Sequence, residues 1–348
     1  VYSVRMARCQ VDPKLKAIRM GGLTFPLGVY PVEPMTPRAG YSVVFEPADT
    51  DGGDGEWEEW PDRYALDIVV TSERLGALTT HLLAMLPGRV YPILDVMGHD
   101  AYREIDPYIS YELIGQDLFV DAFRRYRPFL LEDGLVGFGA MSDDPFFYVF
   151  VDEHKIVTVR VQADARERVE KLLRAMDLEP VDEPAGADAA SHEHRGVLYA
   201  PDSRRDLMNS DEITEALRDE WRLTLNVDPQ ENVDDEGEPL GVTAWRCLVR
   251  CRQPETDAAY RYAEVLAFAP CLLDAEEFAQ TAAMDLSESS ARQPEGEVGL
   301  DQIDPDLLVI TADRILPEEM TQALGEAGVR PPGDDESPVG ALAARWLT

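Results

Sequence analysis

Apolar residues recur along this chain at two spacings, every second position and every third or fourth, and the two patterns take turns. The order is clearest between Tyr64 and Leu178. Tyr64 to Val70 alternates as a strand. Thr71 or Ser72 then caps a helix through Leu75, Leu78, Leu82, Met85 and Leu86, and Pro87-Gly88 stops it. Arg89 to Val96 returns as a strand, and a helix over Asp117 to Tyr126 places Phe119, Ala122, Phe123 and Tyr126 on one face. Leu135 to Ala140 is a short strand. Phe146 to Val151 and Ile156 to Val161 form a hairpin tipped by Asp152-Glu153-His154-Lys155. Asp164, with Glu167 three residues on, predicts a capping box in front of a helix carrying Val169, Leu172, Leu173 and Met176.

Periodicity fails from Glu179 to Arg195, a stretch of proline, glycine and acids that predicts a boundary between two domains, 1–180 and 195–348. The first domain opens with short strands among Pro26, Pro31, Pro34 and Pro37. It also contains an acidic, Gly-rich loop over 48–62, whose Trp57 and Trp60 read as anchors to the body. In the second, strands are expected at Gly196 to Tyr199, Trp221 to Val227, Val242 to Cys251, Ala259 to Ala269 and Leu307 to Ile310. Helices are expected after the capping boxes Asn209/Glu212 and Asp274/Glu277, from Pro317 onward, and at Val339 to Leu347, with a mobile segment near 287–299. The fold class is therefore α+β: two small domains of mostly antiparallel sheet covered by helices. Met176-Asp177-Leu178 and Met284-Asp285-Leu286 each follow a hairpin and an Asp-capped helix, which makes a diverged duplication a candidate.

Charge narrows the function classes. The 348 residues carry 67 Asp and Glu against 32 Lys and Arg, a formal net charge of −35, so general binding of a phosphate backbone is disfavoured. The cationic cluster Arg124, Arg125 and Arg127 is read as pairing with the chain's own carboxylates. The same surplus fits either a solubilising surface or a salty cytoplasm, where screening weakens self-repulsion. No apolar run approaches the roughly 20 residues of a membrane span, and no signal-peptide stretch opens the chain, so a cytoplasmic location is expected. Cys247 and Cys251 lie roughly 13 Å apart along one strand face and read as small buried groups.

Candidate chemistry is sparse. Phosphate-loop, H-E-x-x-H, G-x-S-x-G and C-x-x-C patterns are absent from the sequence. Asp95, His99 and Asp100 follow a strand end, where sites gather. They are the candidate catalytic and metal-ligating set, with Asp106 as a further ligand and a metal-bound water as nucleophile. His192 and His194, two apart in an extended chain, point the same way and could share a transition metal, although a polar linker without a site is the preferred reading. Glu153 and His154 read as a polar hairpin tip. The expected function is that of an acidic protein-interaction or structural protein without catalysis or cofactor. It would meet a basic protein partner or self-associate. The alternative is a metal-dependent hydrolase of a small substrate, using a divalent metal ion.

Overall fold

Strand pairing is antiparallel, as alternation and short connections demand. The computed structural model describes residues 9–48, 60–201, 203–252, 261–291, 306–333 and 338–347. Trp57 and the segment 292–299 lie outside them. The fold is α+β, with two sheet-dominated regions each flanked by helices. The chain divides into two units, Val1–Met97 with Asp106–Asn226, and Gly98–Ile105 with Val227–Thr348.

Unit 1 opens with β1 (Arg19–Met20) and β2 (Leu23–Thr24), a hairpin of their own, followed by β3 (Val29–Pro31). Next come β4 (Gly40–Tyr41), β5 (Val44–Glu46), β6 (Arg63–Val69) and α1 (Ser72–Leu83). β7 (Arg89–Met97), β8 (Ile105–Ile109) and β9 (Ile114–Gly115) lead to α2 (Gln116–Arg125) and α3 (Arg127–Glu132). β10 (Val136–Asp143), β11 (Phe146–Val151) and β12 (Val157–Val161) form a meander into α4 (Ala163–Ala175). β13 (His192–His194), α5 (Ser210–Trp221) and β14 (Thr224–Leu225) complete the unit. The large sheet runs β14-β8-β7-β10-β11-β12-β6-β4. Its alternation sends Leu66, Leu94, Phe138, Val149 and Val159 to one face, where side chains of α1 to α5 join them in a single core. Each such side chain, fully buried, contributes about 1.5–3 kcal/mol.

The opposite face carries a different population. Met141, Tyr148, Phe150 and Arg160 alternate with the core positions, and Trp60 packs on Phe146 and Tyr148 with ring centroids 5.4 and 5.7 Å away. Trp60 is thus anchored to the body as its sequence setting predicts. Arg125 pairs with Glu220 at 2.5 Å and Arg124 with Asp121 at 4.0 Å, so these two guanidiniums meet the chain's own carboxylates.

Residues 179–195, read from composition as a boundary, lie along unit 1 as a strap. Val181 N–H donates to Tyr41 at 2.9 Å, Arg38 and Ala185 exchange two backbone hydrogen bonds, and β13 pairs with β3. Loss of periodicity marked irregular chain held by backbone pairing, and the division between units falls after Asn226. Trp221 is not a strand residue: it ends α5 with its side chain fully buried. The box at Asn209/Glu212 forms as read, with reciprocal bonds of 2.9 and 2.8 Å. The box at Asp164 does not, because α4 starts at Ala163 and leaves Asp164 within its first turn.

In unit 2, β15 (Thr243–Arg252) and β16 (Arg261–Ala269) form the central hairpin, with α6 (Leu272–Ala291) following. β17 (Asp306–Ile315), α7 (Pro317–Glu326) and β18 (Gly340–Trp346) complete it in the sheet order β17-β15-β16-β18. α6 packs on all four strands on the Cys247 face, and α7 covers the Ala244 and Leu266 face. β18 replaces the expected terminal helix, because pairing with β16 from Ala263↔Trp346 to Phe268↔Gly340 satisfies its backbone on an otherwise open edge. The two Met-Asp-Leu triplets occupy unlike places: Asp177 sits just beyond α4 in the left-handed region at φ 48°, whereas Asp285 lies inside α6. Among the described residues no helix is long and apolar enough to cross a membrane.

Unit 2 is braced by Asp100. Its carboxylate, wholly buried, accepts from the Arg314 guanidinium and backbone N–H at 2.9–3.0 Å, and Arg314 also reaches Asn232 Oδ1 at 3.1 Å. Asp100→Ala should lower the unfolding free energy in urea by about 3–5 kcal/mol, since it strands a buried guanidinium. A loss below about 1 kcal/mol would show that the pair does not brace the unit.

Candidate metal centre

The hairpin between β11 and β12 is closed by its own polar groups. Ile156 N–H donates to Asp152 Oδ1 at 2.8 Å, and Asp152 and Ile156 pair through the backbone at 3.1 Å. Lys155 takes the left-handed conformation at φ 64° and buries its ammonium on the Val136 carbonyl. The tip is therefore fastened to the end of β10, which fixes the direction in which His154 projects.

The other half of the site comes from the strap. β13 pairs His192 with Pro31 and His194 with Val29, so the two imidazoles share one side. Glu193 takes the other and accepts from Tyr30 Oη at 2.7 Å. Two glycines let this strap approach so closely. A Cβ on Gly134 would stand 2.0 Å from the Gly28 carbonyl oxygen, and one on Gly28 would stand 2.0 Å from Gly134 N. Arg195 then bridges both, donating to Gly28 at 2.8 Å and accepting from Gly134 at 3.2 Å.

His154, His192 and His194 meet with ring centroids 4.7, 4.8 and 5.0 Å apart, and a ligand atom from each lies within 4.8 Å of the others. The chain has only five histidines, so the gathering of three has to be explained. Each ring has its Nδ1 engaged by a carbonyl or carboxylate, while the Nε2 atoms of His154 and His192 face each other. His192 Nδ1 meets the Ala190 carbonyl at 2.8 Å and His194 Nδ1 the Gly134 carbonyl at 2.6 Å. His154 Nδ1 faces Glu153 at 3.2 Å and Asp152 at 3.7 Å. Nδ1–H donation of this kind fixes the tautomer and leaves the Nε2 lone pair for a metal. His154 Nε2 and His192 Nε2 stand 3.0 Å apart, near the ~3.3 Å edge of a tetrahedron with bonds of about 2.0 Å. Asp152, Glu153 and His154 form a second group within ligand distance, and His154 belongs to both. Its two nitrogens divide the work, Nε2 toward His192 and Nδ1 toward the carboxylates.

Electrostatics agree with this division. Burial disfavours a charged His154, but Asp152 and Glu153 outweigh it and push its pKa up to about 10. Glu153 is held down to about 2, chiefly by its hydrogen bond to His154. His194 is lowered by burial and by the two neighbouring rings, which keeps it neutral and ready to ligate. A proton on His154 Nε2 thus points at His192 Nε2, in the place a metal cation would take.

No protein-family model, curated protein or solved structure matches the chain, so the site is read from its own geometry. The residues singled out in sequence are distributed as follows. Asp95 lies on β7 of unit 1, half-buried, its carboxyl pushed up to about 6 by burial and by the charge of Glu153. His99 is exposed and Asp100 is buried on Arg314, both in unit 2. Asp106 is buried on β8. His192 and His194 do share a side, and the imidazole that sequence did not join to them is His154, 38 residues before His192. Its only local signal was a histidine beside two acids on a tight hairpin.

Two outcomes follow from this arrangement. Metal binding must displace the His154 proton, so apparent zinc affinity in a chelator competition should rise about tenfold per pH unit from about pH 6 to about pH 8. A flat profile would contradict the arrangement. Gly134→Ala should destabilise unit 1 by about 1–3 kcal/mol by pushing the strap off Gly28, and should weaken zinc binding at the same time.

Proposed function

We propose that unit 1 is a metal-dependent hydrolase of a small substrate, with His154, His192 and His194 as the ligands of one transition-metal ion. The observation that supports this reading is that all three rings have their Nδ1 side engaged, which leaves three Nε2 atoms for one cation. Three imidazoles suit zinc, and three protein ligands leave a fourth position open to water, the pattern of a catalytic rather than a structural zinc site. All three histidines are only partly buried, so solvent and a small substrate can reach that position.

Zinc lowers the pKa of a bound water to about 7, so hydroxide is available at neutral pH. A zinc held by His154, His192 and His194 would supply this hydroxide, whose oxygen would add to an ester or amide carbonyl carbon as the bond to the leaving oxygen or nitrogen breaks. One proton of the water ends on the leaving group, and the other dissociates from the acid formed. Glu153, hydrogen-bonded to His154, orients that ring and raises its basicity toward the metal. Four cysteines in thiol form are in keeping with a reducing compartment such as the cytoplasm.

The test is hydrolysis of para-nitrophenyl acetate by chelator-stripped protein reloaded with zinc. Turnover should exceed that of free zinc, disappear on chelation, return with zinc or cobalt, and fall at least ~100-fold in His194→Ala. Turnover that survives both chelation and His194→Ala would overturn the reading.

A further inference from the structure

The geometry points to a substrate that carries a positive charge close to its scissile bond, with Asp95 as the residue that binds this charge. This inference rests on the reading that the three imidazoles hold a water-activating metal.

Carboxylates dominate the field around the imidazoles. Asp152 and Glu153 stand on His154, and Asp95 is paired with Gly137, whose Cβ position lies 3.3 Å from the Asp152 Cα, so its charge repels that of Glu153. The nearby cations are committed elsewhere. The Lys155 ammonium is buried on the Val136 carbonyl, and Arg160 stands 3.4 Å from Glu46 and 5.2 Å over the Tyr148 ring. Even with zinc at +2 and its hydroxide at −1, the three carboxylates leave the site net negative, so a phosphoester or carboxylate substrate would meet repulsion beside Asp95, while an ammonium or guanidinium group would be drawn in.

Asp95 differs from the other two acids. Asp152 closes the hairpin turn and Glu153 holds His154, whereas the Asp95 carboxyl forms no hydrogen bond or ion pair with any described residue. Register explains its placement. Asp95 is paired with Gly137, which leaves no side chain between Asp95 and β11, and the Phe150 ring edge fills that space, 3.0 Å from where a Gly137 Cβ would stand. Phe150 in turn stacks on Tyr148 with centroids 6.1 Å apart. An unengaged carboxylate beside an aromatic wall suits an alkylammonium group, which is weakly hydrated and attracted by both.

The experiment compares three para-nitrophenyl esters on the zinc-loaded full chain: trimethylammonium butanoate, its neutral tert-butyl analogue, and the hemiglutarate anion. The expected kcat/KM is about tenfold higher for the cationic than for the neutral ester, and about tenfold higher for the neutral than for the anionic one. Molar salt should shrink both ratios. Asp95→Asn should bring the cationic-to-neutral ratio to about twofold, and Asp95→Glu, which keeps the charge, should retain most of it. Turnover with no charge preference would overturn this inference and leave the hydrolytic reading standing. A preference untouched by Asp95→Asn would overturn the role of Asp95. Absence of turnover with all three esters would overturn the hydrolytic reading and this inference together.

Discussion

Three imidazoles brought within 5.0 Å of one another would scatter if their rings were free to turn. What prevents this is the pinning of each Nδ1 edge. Two rings are held by backbone carbonyls, those of Ala190 and Gly134, which belong to the strap and to the turn before β10. The third is held by carboxylates within its own hairpin. Because the anchors come from the main chain or a closed turn, ring orientation is built into the fold, and side-chain entropy is spent before any ligand arrives. Preorganisation of this kind is what a metal site asks of its ligands.

The rest of unit 1 serves as a rigid mount for that arrangement. One face of the large sheet is filled by the apolar sides of five helices, so the strand ends at β10, β11 and β7 have little freedom. The strap is held by pairing with β3, by Arg195 between Gly28 and Gly134, and by Val197 N–H on the buried Asp133 carboxylate at 2.8 Å. Burial of the Lys155 ammonium is costly for a charge, and it pushes the lysine down to about 8. That cost is tolerated where the hairpin tip needs to be fixed, directly beside His154. Unit 2 holds its own buried polar pair, Asp100 with Arg314, whose network of hydrogen bonds is complete without any ligand.

The regular elements of the fold were legible because burial on one face imposes a period on the sequence. β6, β7, β11 and β12 in unit 1 and β15 and β16 in unit 2 follow alternation, and α1 and α2 follow the helical repeat. Readings failed where pairing partners, not local pattern, decide. Gly340–Trp346 is rich in alanine and suits a helix in isolation, but β16 offers an unpaired edge and makes it a strand. Asp164 and Glu167 have the spacing of a capping box, yet α4 begins two residues earlier than that box requires, with Gln162 at the N-cap and Ala163 as its first residue. The site was half legible for the same reason. Alternation alone places His192 and His194 on one side, whereas their meeting with His154 depends on two glycines far apart in sequence that let strap and hairpin close. Composition also misled: proline and acids over 179–195 suggested a spacer, and that stretch supplies two of the three imidazoles.

The most direct measurement is X-ray absorption on the chelator-stripped full chain reloaded with one equivalent of zinc. One tightly held ion is expected, with three imidazole nitrogens and one water oxygen at about 2.0 Å. Zinc that washes out on dialysis, or a shell of carboxylate oxygens without imidazole scattering, would contradict it.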